Sequence, residues 1–319
     1  MHYRRLGRSG LKVSEISLGA WVTFGNQLDE ATASDLLHAA YDAGINFFDN
    51  ADVYAGGQAE IVMGKAIQDL PREALVLSSK VFGPTMPGPN GRGLSRKHVI
   101  ESLHASLRRL QTDYLDLYFC HRYDPDTPVE EVVFTMTDLI HQGKILYWGT
   151  SEWEAAQITQ AIGIARQYNL IPPTMEQPQY NLFHRKRVEI DLWPLCKEFG
   201  LGLTTWSPLY SGILSGKYNE GIPANSRAAL EEMGWVRDNL TPDRIAIIRQ
   251  LTALAQELDL TTAQLAIAWI LRRKEVSSVI TGASRLEQLD ENLDASNAAE
   301  KLTDDLLEQI EQIMGNQPE

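Results

Sequence analysis

The 319-residue sequence predicts an α/β fold: a closed (β/α)8 barrel of the TIM type, with an N-terminal β-hairpin and additional C-terminal helices. Three observations predict it. Eight short β-rich or apolar runs recur along the chain, amphipathic segments lie between them, and no Gly/Ser- or Pro-rich linker interrupts the series. Alternating strands and helices imply a parallel sheet. Eight such units match a closed barrel, whose usual length of about 250 residues leaves room for insertions. The chain reads as one barrel domain over residues 1–319; an open doubly wound sheet is the alternative, since eight parallel strands can also lie flat.

In chain order, residues 3–6 and 11–13 flank Gly7-Arg8-Ser9-Gly10 as a hairpin. The strand runs are EISLGA (15–20), INFFDNA (45–51), ALVLSSKV (74–81), YLDLYFCH (114–121), ILYWGTS (145–151), TMEQPQY (174–180), LGLTTWS (201–207) and SSVITGA (277–283). Helices are expected over 31–43, 58–70, 95–110, 129–142, 154–168, 188–199 and 243–258, where apolar residues recur at three- and four-residue spacing, as at Val99, Ile100, Leu103 and Leu107. Thr127-Pro128 precedes the acidic first turn Glu130-Glu131, and Gly143 and Gly200 follow two expected C-termini. The surplus length falls in the hairpin, in segment 210–241, and in helices over 262–271 and 303–314.

The charge balance narrows the function classes. Against 42 Asp and Glu stand 29 Lys and Arg, a formal charge of −13, so a nucleic-acid surface, which needs clustered cations, is not expected. Cys120 and Cys196 are the only cysteines and form neither a CxxC pair nor a disulfide framework. The N-terminus lacks an apolar targeting region, and runs such as QLAIAWIL fall far short of the roughly 20 residues of a spanning helix. A soluble, cytoplasmic protein without membrane insertion is expected.

Polar residues close several of the strand runs, and barrel active sites form at the C-terminal ends of strands. NFFD ends on Asp49, LVLSSK on Lys80 and LYFCH on His121, and the loop after Asp49 supplies Tyr54. Singly, each has a plain alternative as a helix cap or a solvated loop residue. Together they have the chemistry of proton transfer to a carbonyl oxygen: a phenol donates more readily beside an ammonium, Asp49 holds Lys80 charged, and His121 hydrogen-bonds the substrate oxygen. No GxSxG nucleophile or metal-binding HxH or HExxH spacing accompanies them, and Cys120, one residue before His121, faces the other side of its strand. A hydride must then come from a cofactor. Gly91-Arg92-Gly93, Gly200-Leu201-Gly202 and the segment 212–217 are not dinucleotide or phosphate loops. Segments WSPLYSGILSGKY (206–218) and ITGASRLEQLDEN (280–292) stand instead where barrels bind phosphate; Gly282-Ala283-Ser284 opens a helix there, either as an anion site or as an ordinary N-cap.

The motifs YRRLGRSGLKVS, WVTFGNQ, FFDNADVY, GLSRKH, YWGTSEW, EQPQYN, TWSPL, SGKY and SVITGAS run nearly end to end. They resemble the aldo-keto reductases, and among them the branch that contains the potassium-channel β-subunits. The resemblance implies NADPH/NADP+ as cofactor, a small carbonyl substrate, and the tetrad Asp49, Tyr54, Lys80 and His121, with Tyr54 as general acid. It further implies that Trp206 stacks on the nicotinamide, that Ser151 and Gln177 bond its carboxamide, and that Trp21 lines the pocket. Lys217, Arg227, Ser284, Gln288, Glu291 and Asn292 would hold the pyrophosphate and 2′-phosphate. Gln27, Asp49, Ser207, Pro208, Leu209, Tyr210, Ser211 and Gly282 complete the implied cofactor contacts; no metal is implied. Arg227 and Ser284 suit a dianionic 2′-phosphate. The animal channel subunits carry Asn where this chain has His121, which favours turnover, and the loop 84–93 departs from the family's more aromatic form. The same resemblance supplies an alternative function: a homotetrameric, redox-sensing regulatory subunit that partners an ion channel or transporter.

Overall fold

A computed structural model describes every residue except Val22, Asn26, Asn225 and Glu319, and at Glu232 the backbone only. Two positions of the WVTFGNQ motif, Val22 and Asn26, therefore lie outside the described residues. The hairpin forms from β1 (Tyr3–Arg5) and β2 (Lys12–Ser14). The eight predicted runs become β3 (Ile16–Gly19), β4 (Phe47–Asp49), β5 (Val76–Val81), β6 (Leu115–Cys120), β7 (Ile145–Ser151), β8 (Met175–Gln177), β9 (Gly202–Thr205) and β10 (Val276–Thr281). They pair in parallel in chain order, and β10 pairs back onto β3, so the sheet closes into a barrel and the flat alternative is excluded.

Closure follows from strands that are apolar on both faces. Leu117 and Phe119 share a buried lumen cluster with Phe47, Val76, Met175 and Ile280, whereas their neighbours Tyr118 and Cys120 join the second cluster, with Phe48, Leu77 and Trp148. That period-two division fills the lumen and seats the helices at once. Leu6 and Val13 of the hairpin belong to the lumen cluster, so the hairpin plugs one end. Its turn approaches closely: Gly7 has φ +54, and a Cβ there would lie 2.3 Å from the Gly200 carbonyl oxygen. Only glycine fits.

The helical layer comprises α1 (Glu30–Asp42), α2 (Gln58–Ala66), α3 (Arg96–Leu110), α4 (Val129–His141), α5 (Ala155–Gln167), α6 (Trp193–Phe199), α7 (Gly234–Asp238), α8 (Pro242–Glu257), α9 (Thr262–Leu271), α10 (Leu286–Ala298) and α11 (Asp304–Met314). Side-chain caps fix several starts: Asp29 accepts from the Thr32 N–H at 2.8 Å, and Thr261 forms a reciprocal capping box with Gln264. Among the described residues no helix is long and apolar enough to cross a membrane.

Four expectations shift. The helix expected over 58–70 ends at Ala66 and follows a 3-10 turn, Tyr54–Gly57. The one over 188–199 opens as a π turn, Arg187–Leu192; Pro194 has no N–H to donate to the preceding turn, which loosens the ladder there. Thr127 does not cap α4 but donates to Asp124 at 2.8 Å. Finally, α10 starts at Leu286, not at the 282–284 turn, because the Ser284 N–H and hydroxyl are both taken by Gln288 Oε1, at 2.9 and 3.0 Å.

Candidate active site

Asp49 ends β4, Lys80 is the penultimate residue of β5, His121 follows β6, and the 3-10 turn swings Tyr54 back over them. The structure brings all four together. Lys80 is fully buried, and its three ammonium hydrogens are all used: Nζ lies 2.7 Å from Asp49 Oδ2, 2.7 Å from the Asn50 carbonyl and 3.1 Å from Tyr54 Oη. An ammonium has no acceptor, so Lys80 donates to the phenol oxygen and leaves the Tyr54 proton free to donate elsewhere. The His121 ring stands edge-on to Tyr54, with centroids 5.8 Å apart.

The electrostatics refine the expectation that Lys80 lowers the Tyr54 pKa. Burial is the larger effect and raises it; Lys80 pulls it down, Asp49 pushes it up, and the net direction is above the ordinary phenol. The Lys80 pull is present but outweighed. Burial also works against the charge on Lys80, yet Asp49 and Tyr54 overcome it and hold its pKa above the usual value. His121 is driven down to about 2 by burial, then Lys80 and Arg122, so its imidazole is neutral, with one N–H available.

These side chains line one cleft of about 1290 Å³ that runs over the C-terminal end of the barrel. Trp21, Gln27, Ser151, Gln177, Trp206, Ser207, Pro208, Leu209, Ser211, Lys217, Arg227, Gly282, Ser284, Gln288, Glu291 and Asn292 line it as well, with Lys80 beneath Asp49 and Tyr54. Tyr210 does not. Its φ of +46 turns the phenol away, to donate to Asn239 at 2.7 Å and to pack on Phe183 and His184. Gln177 already donates to Asp49 Oδ1 at 3.0 Å, and the Ser151 hydroxyl to the Gln177 carbonyl at 2.8 Å.

At the far end of the cleft, loss of water lowers the pKa of both Lys217 and Arg227; at Lys217 the neighbouring Arg227 and Arg285 add repulsion, which Glu291 partly offsets. The Lys217 ammonium lies against Gly212, where a Cβ would come within 2.6 Å of its Nζ. Crowded cations that repel one another gain from a bound polyanion, so this end fits the phosphates of a dinucleotide.

Sequence reasoning missed three contributors. Ser78 donates to Asp49 Oδ1 at 2.8 Å; lying two residues from Lys80, it shares the same strand face, and that spacing was the available signal. Glu152, in the left-handed region at φ +57, accepts from Trp206 Nε1 at 2.9 Å and from the Gln179 N–H at 2.6 Å. Arg187 ties this carboxylate, 3.5 Å away, to the buried Glu176 at 2.8 Å. Trp206, so anchored, meets Trp21 edge-on at 6.1 Å.

The Aldo/keto reductase family model matches residues 15–314. Two plant proteins, from Arabidopsis thaliana and Oryza sativa subsp. japonica, both named "Probable voltage-gated potassium channel subunit beta", are each 51% identical over 322 residues, covering 100% of this chain and 98% of the relative. The chain belongs to the aldo/keto reductase family, a family of oxidoreductases.

Proposed function

We propose that this chain, as one barrel domain, reduces small aldehydes and ketones to alcohols with NADPH. The observation that carries the reading is Lys80 Nζ, bonded at once to Asp49 and to Tyr54 Oη. The nucleotide, when bound, supplies the hydride that the carbonyl carbon receives. The chain's own residues do the rest. Lys80 occupies a lone pair of the Tyr54 oxygen and stabilises the phenolate that remains once the proton has moved to the carbonyl oxygen. Neutral His121 donates its N–H to that same oxygen and fixes it beside the phenol. Ser78 and Gln177 hold Asp49, which keeps Lys80 aimed. Trp206, held by Glu152, covers the nicotinamide; Lys217 and Arg227 neutralise the phosphates; Ser284, Gln288, Glu291 and Asn292 close around the adenosine end.

The test is Tyr54→Phe, assayed as NADPH consumption with benzaldehyde. General acids contribute about 10²- to 10⁴-fold, so the variant should lose at least about a hundredfold in kcat while binding NADPH as the native protein does. Equal rates would remove Tyr54 from the proposed role.

The names of the plant relatives favour a second, compatible reading, a subunit that partners a potassium channel; in this reading the chain assembles as a homotetramer beneath a channel or transporter, and the redox state of the nucleotide is the signal. Crosslinking in host cells followed by mass spectrometry should recover such a chain. Its repeated absence would count against this reading and leave the reductase untouched.

A further inference from the structure

One cation on the cleft wall is assigned no contact with substrate or cofactor above. Arg122 follows His121 and lines the same cleft. Its side chain is exposed, and its Nη1 donates to the main-chain carbonyl of His121 at 2.5 Å; among the described residues this is its one side-chain hydrogen bond, and it makes no ion pair. Four of its five N–H donors remain available.

The cleft is electrostatically two-ended. Arg122 acts on the reacting groups, opposing the burial-driven rise at Tyr54 and adding to burial and Lys80 in depressing His121. Lys217 instead feels Arg227 and Arg285, and not Arg122. One end thus holds cations suited to nucleotide phosphates. The other pairs a single arginine with apolar walls from Trp21, Leu28, Val53 and Ala55. A carbonyl oxygen placed between Tyr54 and His121 leaves the remainder of its molecule among those walls and beside Arg122.

We infer that Arg122 is a specificity residue that pairs with a carboxylate on the substrate, so that the preferred substrates are oxo-acids, in which an aldehyde or ketone and a carboxylate lie on one short or aromatic frame. The inference rests on the reductase reading. The guanidinium fork matches a carboxylate bidentately, which a lysine ammonium cannot do. In the reaction the C=O π bond breaks, the carbon gains hydride from NADPH, the oxygen gains the Tyr54 proton, and the carboxylate leaves unchanged.

The experiment compares kcat/KM for 4-carboxybenzaldehyde and benzaldehyde in native protein, Arg122→Gln and Arg122→Lys. The carboxylate-to-neutral ratio should fall about tenfold in Arg122→Gln, the scale of one hydrogen bond to a charged group, chiefly through KM, with partial recovery in Arg122→Lys. A parallel fall for both aldehydes, leaving the ratio unchanged, overturns the inference, since the charge would then act only through Tyr54 and His121. Binding of 4-(hydroxymethyl)benzoate to NADP+-loaded protein, read by tryptophan fluorescence, separates the two layers. Absence of turnover with either aldehyde contradicts the reductase reading; equal affinity in native and Arg122→Gln protein contradicts the role of Arg122.

Discussion

Lys80 is the residue on which the site turns. Its three donors are saturated inside the protein, so Lys80→Met leaves Asp49 buried without its counter-ion and Tyr54 without its cation. The variant should lose about a hundredfold or more in kcat, and its remaining activity should persist to higher pH than in native protein, because burial and the Asp49 charge then hold the phenol protonated without the opposing pull of Lys80. His121 gives an opposite signature. With its pKa depressed to about 2, it contributes no inflection near the ordinary imidazole value, and kcat/KM measured from pH 5.5 to 8 should lack a His121 step; a step that vanishes in His121→Asn would show that the imidazole titrates after all. Asp49, Lys80 and His121 were legible in the sequence because each closes an apolar run. Tyr54 was legible only through its proximity to Asp49, and the positive φ of Tyr210, with its phenol turned out of the cleft to Asn239, leaves no mark in a pattern of residue types.

The strands were the legible elements, since continuous apolar runs such as LDLYFC have few alternatives in an α/β chain, whereas helix ends depended on competing hydrogen bonds. Ser284 and Gln288 satisfy each other and postpone α10, an outcome that local capping preference does not reveal. Glu152 was likewise hidden, because it is the register of β7 against β8 and the path after β9 that bring it to Trp206. Glu152→Ala frees the indole and should weaken NADPH binding by about tenfold, the scale of one hydrogen bond to a charged group; titration of tryptophan fluorescence measures it. Between the barrel and helices α2 and α3 lies a second polar layer. There the Glu60 carboxylate meets Ser79 and Arg109, both at 2.6 Å, and the buried Asp52 oxygens have no hydrogen-bond partner among the described residues. Burial and Glu60 raise Asp52 to about 7, against about 3.9 when unfolded. The folded state therefore binds more protons between those values, and stability is lost as pH rises toward and through about 7. Asp52→Asn should be more stable than native protein at pH 8, with a Tm several degrees higher, and this advantage should vanish near pH 4; thermal melts across that range check it.

At the scale of the whole molecule, a surplus of 13 negative charges coexists with a cleft that gathers Lys217, Arg227 and Arg285 at one end and Arg122 at the other. Net charge disfavours polyanions over the surface at large, while the local cations favour one phosphorylated ligand. Arg227→Ala should weaken NADPH about tenfold or more while changing NADH little, measured as dissociation constants at one ionic strength, because only NADPH presents a 2′-phosphate to the guanidinium. NADPH at a hundredfold excess over Kd should stabilise the fold by about 2.7 kcal/mol, visible as a raised Tm. The barrel was readable at this scale from eight βα units, but the division of the cleft into two cationic ends was not, since Arg122 and Arg227 are 105 positions apart and only closure of the barrel sets both on one rim. The most direct measurement is a single turnover of protein loaded with one equivalent of NADPH and mixed with benzaldehyde. Stoichiometric conversion to benzyl alcohol and NADP+, slowed at least about a hundredfold in Tyr54→Phe with NADPH affinity unchanged, is the expected result; bound NADPH that persists in native protein, or is consumed equally fast in both proteins, would contradict it.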